Sequence, residues 1–192
     1  MDDLNLNIAK KNYKIRLWTP GMSLEEPRYE TYVGVDTETE ELIPGASIIP
    51  VLLQVCYPSQ LLVHLVVAEH MSTYINLMLK TNPKLELIFC NAPFDLNVLN
   101  MSKEPLLRKS LEDNNITDIS LRYILAALEA GVYMNIYNLE HISRDLLGID
   151  LNKDSKVRLT FKADTEIDEA HALYASSDAI ATAMIRGVMP VK

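Results

Sequence analysis

The pattern of apolar and polar positions along this 192-residue chain predicts strands in its first half and helices in its second. Apolar runs bounded by Pro44-Gly45 and Pro58-Ser59-Gln60 indicate buried strands that are separated by turns. We predict strands at residues 31–36, 51–57, 61–67 and 85–90. We predict helices at residues 72–80, 93–101, 106–113, 120–130, 139–147 and 168–188. For the helix at residues 139–147, Asn138 is a natural N-cap and Gly148 a natural C′ residue.

The connections between these elements indicate the type of sheet. Short links between the first three strands predict an antiparallel meander, whereas the helix at residues 72–80 joins two strands and predicts parallel pairing. The sequence therefore predicts an α/β fold in which one edge of a mixed sheet carries the chemistry. The length fits one domain, residues 31–192. Residues 1–30 are expected to form a lead-in that is irregular or contains one short strand near residues 13–18.

Composition narrows the class of protein. The chain is 48% apolar, which excludes disorder, and its 26 acidic and 18 basic residues give a formal charge of −8. That charge argues against binding of duplex DNA through a broad basic face. No apolar run approaches the roughly 18 residues of a membrane span, and no signal-type segment begins the chain, so we expect a soluble, intracellular protein. Cys56 and Cys90 lie in apolar runs without pairing spacing and are expected to be buried free thiols.

The first candidate site is Asp36-Thr37-Glu38, at the end of the strand predicted at residues 31–36. Alternate side chains of a strand share a face, so the carboxylates of Asp36 and Glu38 project together. Two such carboxylates repel each other unless a cation lies between them, and Mg²⁺ and Mn²⁺ take oxygen ligands. The pair indicates a divalent-metal site, although a strand that runs into a polar turn would show the same pattern.

Two further segments place a carboxylate in a helix. In Asn91-Ala92-Pro93-Phe94-Asp95, Asn91 is a natural N-cap, and the helix dipole favours Asp95 in the first turn. A plain helix-terminal charge is the alternative for Asp95. In the last helix, Tyr174 and Asp178 lie four residues apart on one face. Asp178 has no lysine or arginine four residues away, so a structural role explains it poorly and a ligand is indicated.

These three motifs, in this order and in these elements, resemble the DEDD superfamily of 3′–5′ exonucleases, in the branch with a tyrosine in the last motif. The patterns DxE, NxxFD and YxxxD are shared by ribonuclease D, Werner-type exonucleases and the proofreading domains of family A DNA polymerases. Residues 138–148 also resemble the ribonuclease D stretch between the second and third motifs. The resemblance spans roughly residues 31–188 and implies a ribonuclease H-like mixed sheet, with an antiparallel meander plus parallel strands, flanked by helices.

The resemblance also implies a two-metal-ion mechanism with Mg²⁺ or Mn²⁺ as cofactors. Asp36 would bridge both ions, and Glu38 and Asp178 would complete the site of the ion that activates the attacking water. Asp95 would hold the second ion, largely through water. Tyr174 would orient the attacking water, because an ordinary tyrosine pKa of about 10 suits positioning better than general-base action at neutral pH. The product would be a nucleoside 5′-monophosphate.

Substrate contacts are expected around the same motifs. The candidates for contacting the terminal nucleotide are Thr37, Asn91 and Phe94, since the ends of single-stranded nucleic acids are held by stacking on apolar or aromatic groups. A core position is the alternative for Phe94. Four basic residues either reach substrate phosphates or form a solvated loop: Lys153, Lys156, Arg158 and Lys162.

The expected partner is a single-stranded 3′ end of DNA or RNA, and no membrane. The chain would act alone or as the proofreading part of a polymerase, whose further domain would be a partner if the chain is a fragment. A catalytically inactive exonuclease-like module that binds nucleic acid or protein is the alternative, which the presence of all four carboxylates and the tyrosine disfavours. The acidic balance predicts weak, salt-sensitive binding and low processivity.

Overall fold

The computed structural model of the protein describes residues 3–133, 137–151, 155–164 and 166–189. The strands in these residues are β1 (Leu4–Ile8), β2 (Lys11–Leu17), β3 (Tyr32–Thr39), β4 (Pro50–Tyr57), β5 (Leu62–Val67), β6 (Glu86–Phe89) and β7 (Ile116–Asp118). The α-helices are α1 (Met71–Thr81), α2 (Ala92–Val98), α3 (Pro105–Glu112), α4 (Ile119–Glu129), α5 (Leu139–Leu147), α6 (Ser155–Arg158) and α7 (Glu169–Val188).

The strands of the described residues form one mixed sheet in the order β1-β2-β5-β4-β3-β6-β7. Strands β3, β4 and β5 pair antiparallel as the predicted meander. Strand β6 pairs parallel with β3 on one side and with β7 on the other. The predicted α/β fold with a mixed sheet and flanking helices is therefore confirmed. The carboxyl ends of β3, β6 and β7 lie at the same edge of the sheet.

The N-terminal segment contains more structure than the sequence predicts. Two strands, β1 and β2, stand where we expected an irregular lead-in or one short strand, and they form an antiparallel hairpin. The two-residue link has positive φ at both Ala9 (49°) and Lys10 (63°). Such primed turns usually carry asparagine, aspartate or glycine, so the usual sequence signal for this hairpin is absent. Strand β2 then pairs parallel with β5, which joins the hairpin to the main sheet.

Helices cover both faces of the sheet. Helices α1, α2 and α3 pack on the face to which Val33 and Val35 of β3 point. Helix α7 packs on the opposite face, with α4 and α5 beside it. Helix α2 is shorter than the predicted segment at residues 93–101, because Asn100 adopts a left-handed conformation (φ 53°) and a short 3-10 turn follows.

The central part of α7 lies unusually close to β3. A Cβ atom on Gly34 would lie 2.2 Å from the carbonyl oxygen of Ala179 and 2.7 Å from the amide nitrogen of Ala183. Glycine at this position, facing alanines on the helix, therefore lets the two backbones approach. This contact sets the distance between the strand and the helix that carry the first and third motifs.

The C-terminal end of α7 is tied to β6. The guanidinium of Arg186 donates to both carboxylate oxygens of Glu86, at distances of 2.9 to 3.2 Å. Thr117 of β7 donates its hydroxyl to the same carboxylate, 2.6 Å away. The three elements are thus joined at a half-buried, charge-assisted contact.

No helix in the described part of the chain is long and apolar enough to cross a membrane. Both cysteines are free thiols, as expected, but only Cys56 is buried. Cys90 is half-buried because it follows β6 at the sheet edge, where it borders an open cavity.

Candidate active site

The structure brings the defining residues of the DxE, NxxFD and YxxxD motifs to one cavity. This cavity has a volume of about 640 Å³ and lies at the sheet edge where β3 and β6 end. Cavities of this size bind small-molecule ligands or single units of a polymer. The sequence-predicted residues that line it are Asp36, Thr37, Glu38, Asn91, Phe94, Asp95, Tyr174 and Asp178.

The first motif contributes to both faces of the sheet edge. Because Val33 and Val35 pack on the α1 side, alternation along β3 places Asp36 and Glu38 on the α7 side. Asp36 is half-buried there and Glu38 is buried. On α7, Tyr174 and Asp178 follow each other by one helical turn and line the same cavity from the opposite wall.

The second motif reaches the cavity from the other face. Asp95 is buried, and the hydroxyl of Thr37 donates to its Oδ1 atom at 2.7 Å. Burial raises the pKa of the Asp95 carboxyl from 3.8 to about 7, although this hydrogen bond opposes the rise and the nearby Asp118 carboxylate adds to it. The hydroxyl of Thr37 thus positions Asp95. That Thr37 also contacts a substrate stays a prediction.

Replacing Asp95 with asparagine is expected to stabilise the metal-free protein at alkaline pH. The folded-state pKa lies above the usual value, so wild-type stability falls as the pH rises from about 4 to about 7. Asparagine still accepts from Thr37 and carries no charge, so Asp95→Asn should gain about 1 to 4 kcal/mol at pH 8 and almost nothing at pH 4. Urea unfolding in EDTA across this pH range measures the difference.

The exposed acid Asp113 provides the control for that measurement, because Asp113→Asn removes a carboxylate that lies at the end of α3, away from the cavity. It should not change the pH dependence. Parallel stability curves for Asp95→Asn and the wild type would contradict the assignment of a raised pKa to Asp95.

The start of α2 is held by a residue outside the second motif. Asn91 stands at the N-cap position as predicted, but in a left-handed conformation (φ 72°) and without a side-chain cap hydrogen bond. Asp118 supplies the acceptors instead: its Oδ2 accepts from the Ala92 amide at 2.9 Å, and its Oδ1 accepts from the Asn91 amide at 3.2 Å. The expectation that the Asn91 side chain caps the helix is therefore wrong, which leaves that side chain exposed at the cavity.

A second, smaller cavity adjoins the first. It has a volume of about 270 Å³ and shares Thr37, Glu38, Phe94 and Arg158 with the larger one. Phe94 is half-buried between the two, so it is not the core residue of the alternative interpretation. Arg158 is the only basic side chain among the described residues that line either cavity. Of the other members of the predicted basic patch, Lys153 lies outside the described residues.

The donor set in the cavity suits hard divalent ions. Asp36, Glu38, Asp95 and Asp178 offer only carboxylate oxygens, the ligands that Mg²⁺ and Mn²⁺ take. Over the ranges that the structure describes, however, no three His, Cys, Asp or Glu side chains are arranged so that they could hold a metal ion. The chemistry of the residues therefore fits divalent ions, which one or two carboxylates can bind together with water.

Several cavity residues have no part in the three motifs. Ser120, Tyr137 and Asn138 line it because α4 and α5 both begin at this edge of the sheet. The only sequence signals for these positions are the N-cap residues of α4 and α5. The N-cap of α5, Asn138, accepts from the His141 amide as predicted. The link from Asp118 to α2 has no local signal, because it depends on the pairing of β6 with β7.

Solved structures with similar folds include nucleases. NrnC from Brucella melitensis bound to pGG has a TM-score of 0.66 at 19% identity, over 91% of this chain and 78% of that one. The Nibbler EXO domain from Aedes aegypti has a TM-score of 0.61 at 14% identity, over 85% and 79%. RNase D from Trypanosoma brucei in complex with RNA U12 has a TM-score of 0.62 at 13% identity, over 91% and 61%. At such low sequence identities, the likeness to these structures establishes the fold alone.

The sequence itself matches no curated protein. It does match the sequence profile that describes 3′–5′ exonucleases, over residues 22–190. This match includes all three motifs and most of the chain. Since the same motifs meet in one cavity of a nuclease-like fold, the chain belongs to the 3′–5′ exonuclease family.

Proposed function

We propose that this protein is a metal-dependent 3′–5′ exonuclease that removes nucleoside 5′-monophosphates from the 3′ end of single-stranded DNA or RNA. The observation that supports this most directly is the meeting of Asp36, Glu38, Asp95, Tyr174 and Asp178 in one cavity. Exonuclease domains of this family depend on divalent metal ions. We infer two ions, Mg²⁺ or Mn²⁺, because four carboxylates line the cavity.

Hydrolysis at this site would proceed by attack of water on the terminal phosphodiester. Bound divalent ions would increase the acidity of that water and neutralise charge on the phosphate and the leaving oxygen. Tyr174 and Glu38 hold the attacking water by hydrogen bonds. The bond between phosphorus and the 3′ oxygen breaks, the shortened strand takes a proton on that oxygen, and the 5′-monophosphate leaves. Asp36, Glu38, Asp95 and Asp178 would hold the ions.

The two cavities fit the parts of a terminal nucleotide. The smaller cavity, beside Phe94, would take the terminal base, because strand ends are held by stacking on aromatic side chains. Asn91 is exposed at the larger cavity and offers hydrogen-bonding groups to the same nucleotide. The larger cavity would then take the terminal phosphodiester.

The experiment that tests the proposal is digestion of a 5′-labelled single strand with Mg²⁺, with Mn²⁺ and with EDTA. We expect a ladder of shortened products with either ion and none with EDTA. DNA and RNA strands of the same sequence are compared in parallel, because RNase D of T. brucei was solved with RNA and NrnC with pGG. A 3′-phosphorylated strand of the same sequence shows whether removal begins at the 3′ end, because the phosphate changes only the terminal group at that end.

A non-catalytic module that binds nucleic acid or protein is the competing candidate. The observation in its favour is that no three acidic or other metal-ligating side chains of the described residues are arranged to hold an ion. Strand binding without any ladder, in the presence of either ion, would support this candidate. A ladder that requires the ions would exclude it. Action as the proofreading part of a polymerase predicts, in addition, faster digestion of mismatched than of matched primer ends.

Replacing Arg158 with glutamine is expected to raise the KM for the strand about tenfold with little change in kcat. Arg158 is the only described basic residue at the two cavities, so it is placed to bind a substrate phosphate. A lost charge-assisted hydrogen bond costs about 1.5 to 3 kcal/mol, and 1.4 kcal/mol corresponds to a factor of ten. Steady-state rates at several strand concentrations separate KM from kcat.

The matched control for Arg158 is Lys162→Gln, which removes the same charge from an exposed position outside both cavities. It should leave KM within about twofold of the wild type. Equal increases in KM for the two variants would show that Arg158 contributes only to the overall charge of the protein.

A further inference from the structure

The carboxylate of Asp118 is shared by two helices. Asp118 ends β7 and caps α4, where it accepts from the amides of Ser120 (2.9 Å) and Leu121 (3.3 Å) and from the Ser120 hydroxyl (2.6 Å). The same carboxylate accepts from the amides of Asn91 and Ala92 at the start of α2. A single side chain thus satisfies amide groups at two helix N-termini, which otherwise lack partners within their helices.

Helix α2 depends on this contact more than α4 does. It has only seven residues, too few for a stable helix on its own, and its N-cap residue Asn91 provides no side-chain cap. The left-handed backbone at Asn91, which asparagine adopts more readily than most residues, turns its side chain away from the cap position. Asp118 accepts instead from the amides of Asn91 and of Ala92, the first helical residue.

The first turn of α2 carries two of the side chains that line the cavity. Phe94 and Asp95 follow Ala92 within one helical turn, so the position of the Ala92 amide determines where they point. Asp95 also has to meet the hydroxyl of Thr37 on β3, at 2.7 Å. The start of α2 is therefore held from the β7 side by Asp118 and from the β3 side by Thr37.

We propose that Asp118 is a positioning residue of the active site: by holding the first turn of α2 against the end of β7, it places the Asp95 carboxylate for catalysis. This inference rests on the proposed exonuclease function. Asp118 itself acts through backbone amides of Asn91 and Ala92 and does not need to touch the substrate.

The two carboxylate oxygens of Asp118 accept different numbers of hydrogen bonds, and this difference allows a selective test. Oδ1 accepts from Asn91, Ser120 and Leu121, whereas Oδ2 accepts only from the amide of Ala92. In Asp118→Asn the side-chain oxygen will keep the place with more donors, and the amide nitrogen will face the Ala92 N–H. Two donors then face each other at α2, while α4 keeps its cap, because asparagine is as good an N-cap as aspartate.

The experiment compares Asp118→Asn with the wild type in hydrolysis and in amide hydrogen exchange. We expect kcat to fall at least tenfold and Mn²⁺ to bind more weakly in a calorimetric titration, and we expect KM for the strand to rise as well, because Phe94 lies in the same turn as Asp95. Amide exchange should become at least tenfold faster in residues 91–95 and stay unchanged in residues 119–129. Unchanged exchange in residues 91–95, or unchanged kcat in an active enzyme, would overturn the proposal.

The control is Asp168→Asn, the same substitution at the N-cap of α7. Asp168 accepts from the His171 amide at 2.9 Å and caps its own helix. Asp168→Asn should leave kcat and the amide exchange of residues 91–95 unchanged. Equal effects in both variants would show that Asp118 acts only as an ordinary helix cap. If the wild type shows no hydrolysis, the proposed function fails, whereas the exchange of residues 91–95 still decides whether Asp118 positions α2.

Discussion

Replacement of Asp36 with asparagine is expected to reduce hydrolysis of a 5′-labelled single strand by about 10³-fold, the upper range for loss of one group that stabilises transition-state charge. Asp36 is half-buried in the cavity, on the same face of β3 as Glu38 and facing the helix α7 that carries Asp178. Asparagine preserves the size of the side chain but removes the negative charge that a divalent ion requires. Rates at saturating Mn²⁺ measure the loss.

The control for Asp36 is Asp113→Asn. Asp113 is an exposed acid paired with Lys109 at 2.9 Å, and such surface pairs contribute little to stability. This variant should digest the strand at the wild-type rate. Calorimetric titration with Mn²⁺ adds a measurement that is independent of turnover, and Asp36→Asn should bind the ion more weakly. If Asp36→Asn produced the same ladder of products as the wild type at the same rate, this result would contradict the metal-dependent mechanism.

The motifs could be found in the sequence because their geometry is local. Side chains two apart on a strand share a face, which places Asp36 beside Glu38 whatever surrounds them. Side chains four apart on a helix share a face, which places Tyr174 above Asp178. The strand β4 and the helix α5 were also predictable, since apolar runs, turn residues and the caps Asn138 and Gly148 mark their bounds.

The parts that escaped prediction depend on contacts between distant segments. The β1–β2 hairpin turns at Ala9 and Lys10, which carry no turn signal, and its place in the sheet comes from the parallel pairing of β2 with β5. The second function of Asp118 exists only because β6 and β7 end side by side. In the sequence Asp118 stands directly before α4, and only the fold places it beside α2 as well.

The candidate site combines side chains from both faces of the sheet. Asp36 and Glu38 point towards α7, whereas Thr37 points to the other face and binds Asp95 of α2. One strand, β3, therefore carries Asp36 and Glu38 and positions Asp95 through a hydrogen bond, whereas Asp178 depends on the packing of α7 against β3. The geometry of the site then depends on how closely α2 and α7 approach β3. For α2 this is governed by Asp118 and Thr37, and for α7 by Gly34.

Replacement of Gly34 with alanine is expected to destabilise the protein by about 3 kcal/mol and to lower kcat about 10²-fold. The new Cβ would lie 2.2 Å from the Ala179 carbonyl oxygen and 2.7 Å from the Ala183 amide nitrogen, and these backbone atoms cannot move without the helix. Overpacking of this kind costs about 1 to 3 kcal/mol. Displacement of reacting groups by about 1 Å can cost 10²-fold in rate, and α7 carries Tyr174 and Asp178.

Ala183→Gly separates loss of stability from displacement of the helix. This variant removes a methyl group from the same contact and places glycine in a helix, which costs about 1 kcal/mol without forcing α7 away from β3. Urea unfolding gives the stability of both variants, and kcat is measured where both remain folded. Ala183→Gly should keep wild-type kcat, and Gly34→Ala should not. If Gly34→Ala lost only stability, the spacing between β3 and α7 would not be what aligns Asp178 with Asp36, and the carboxylates would have to be aligned by the bound ions themselves.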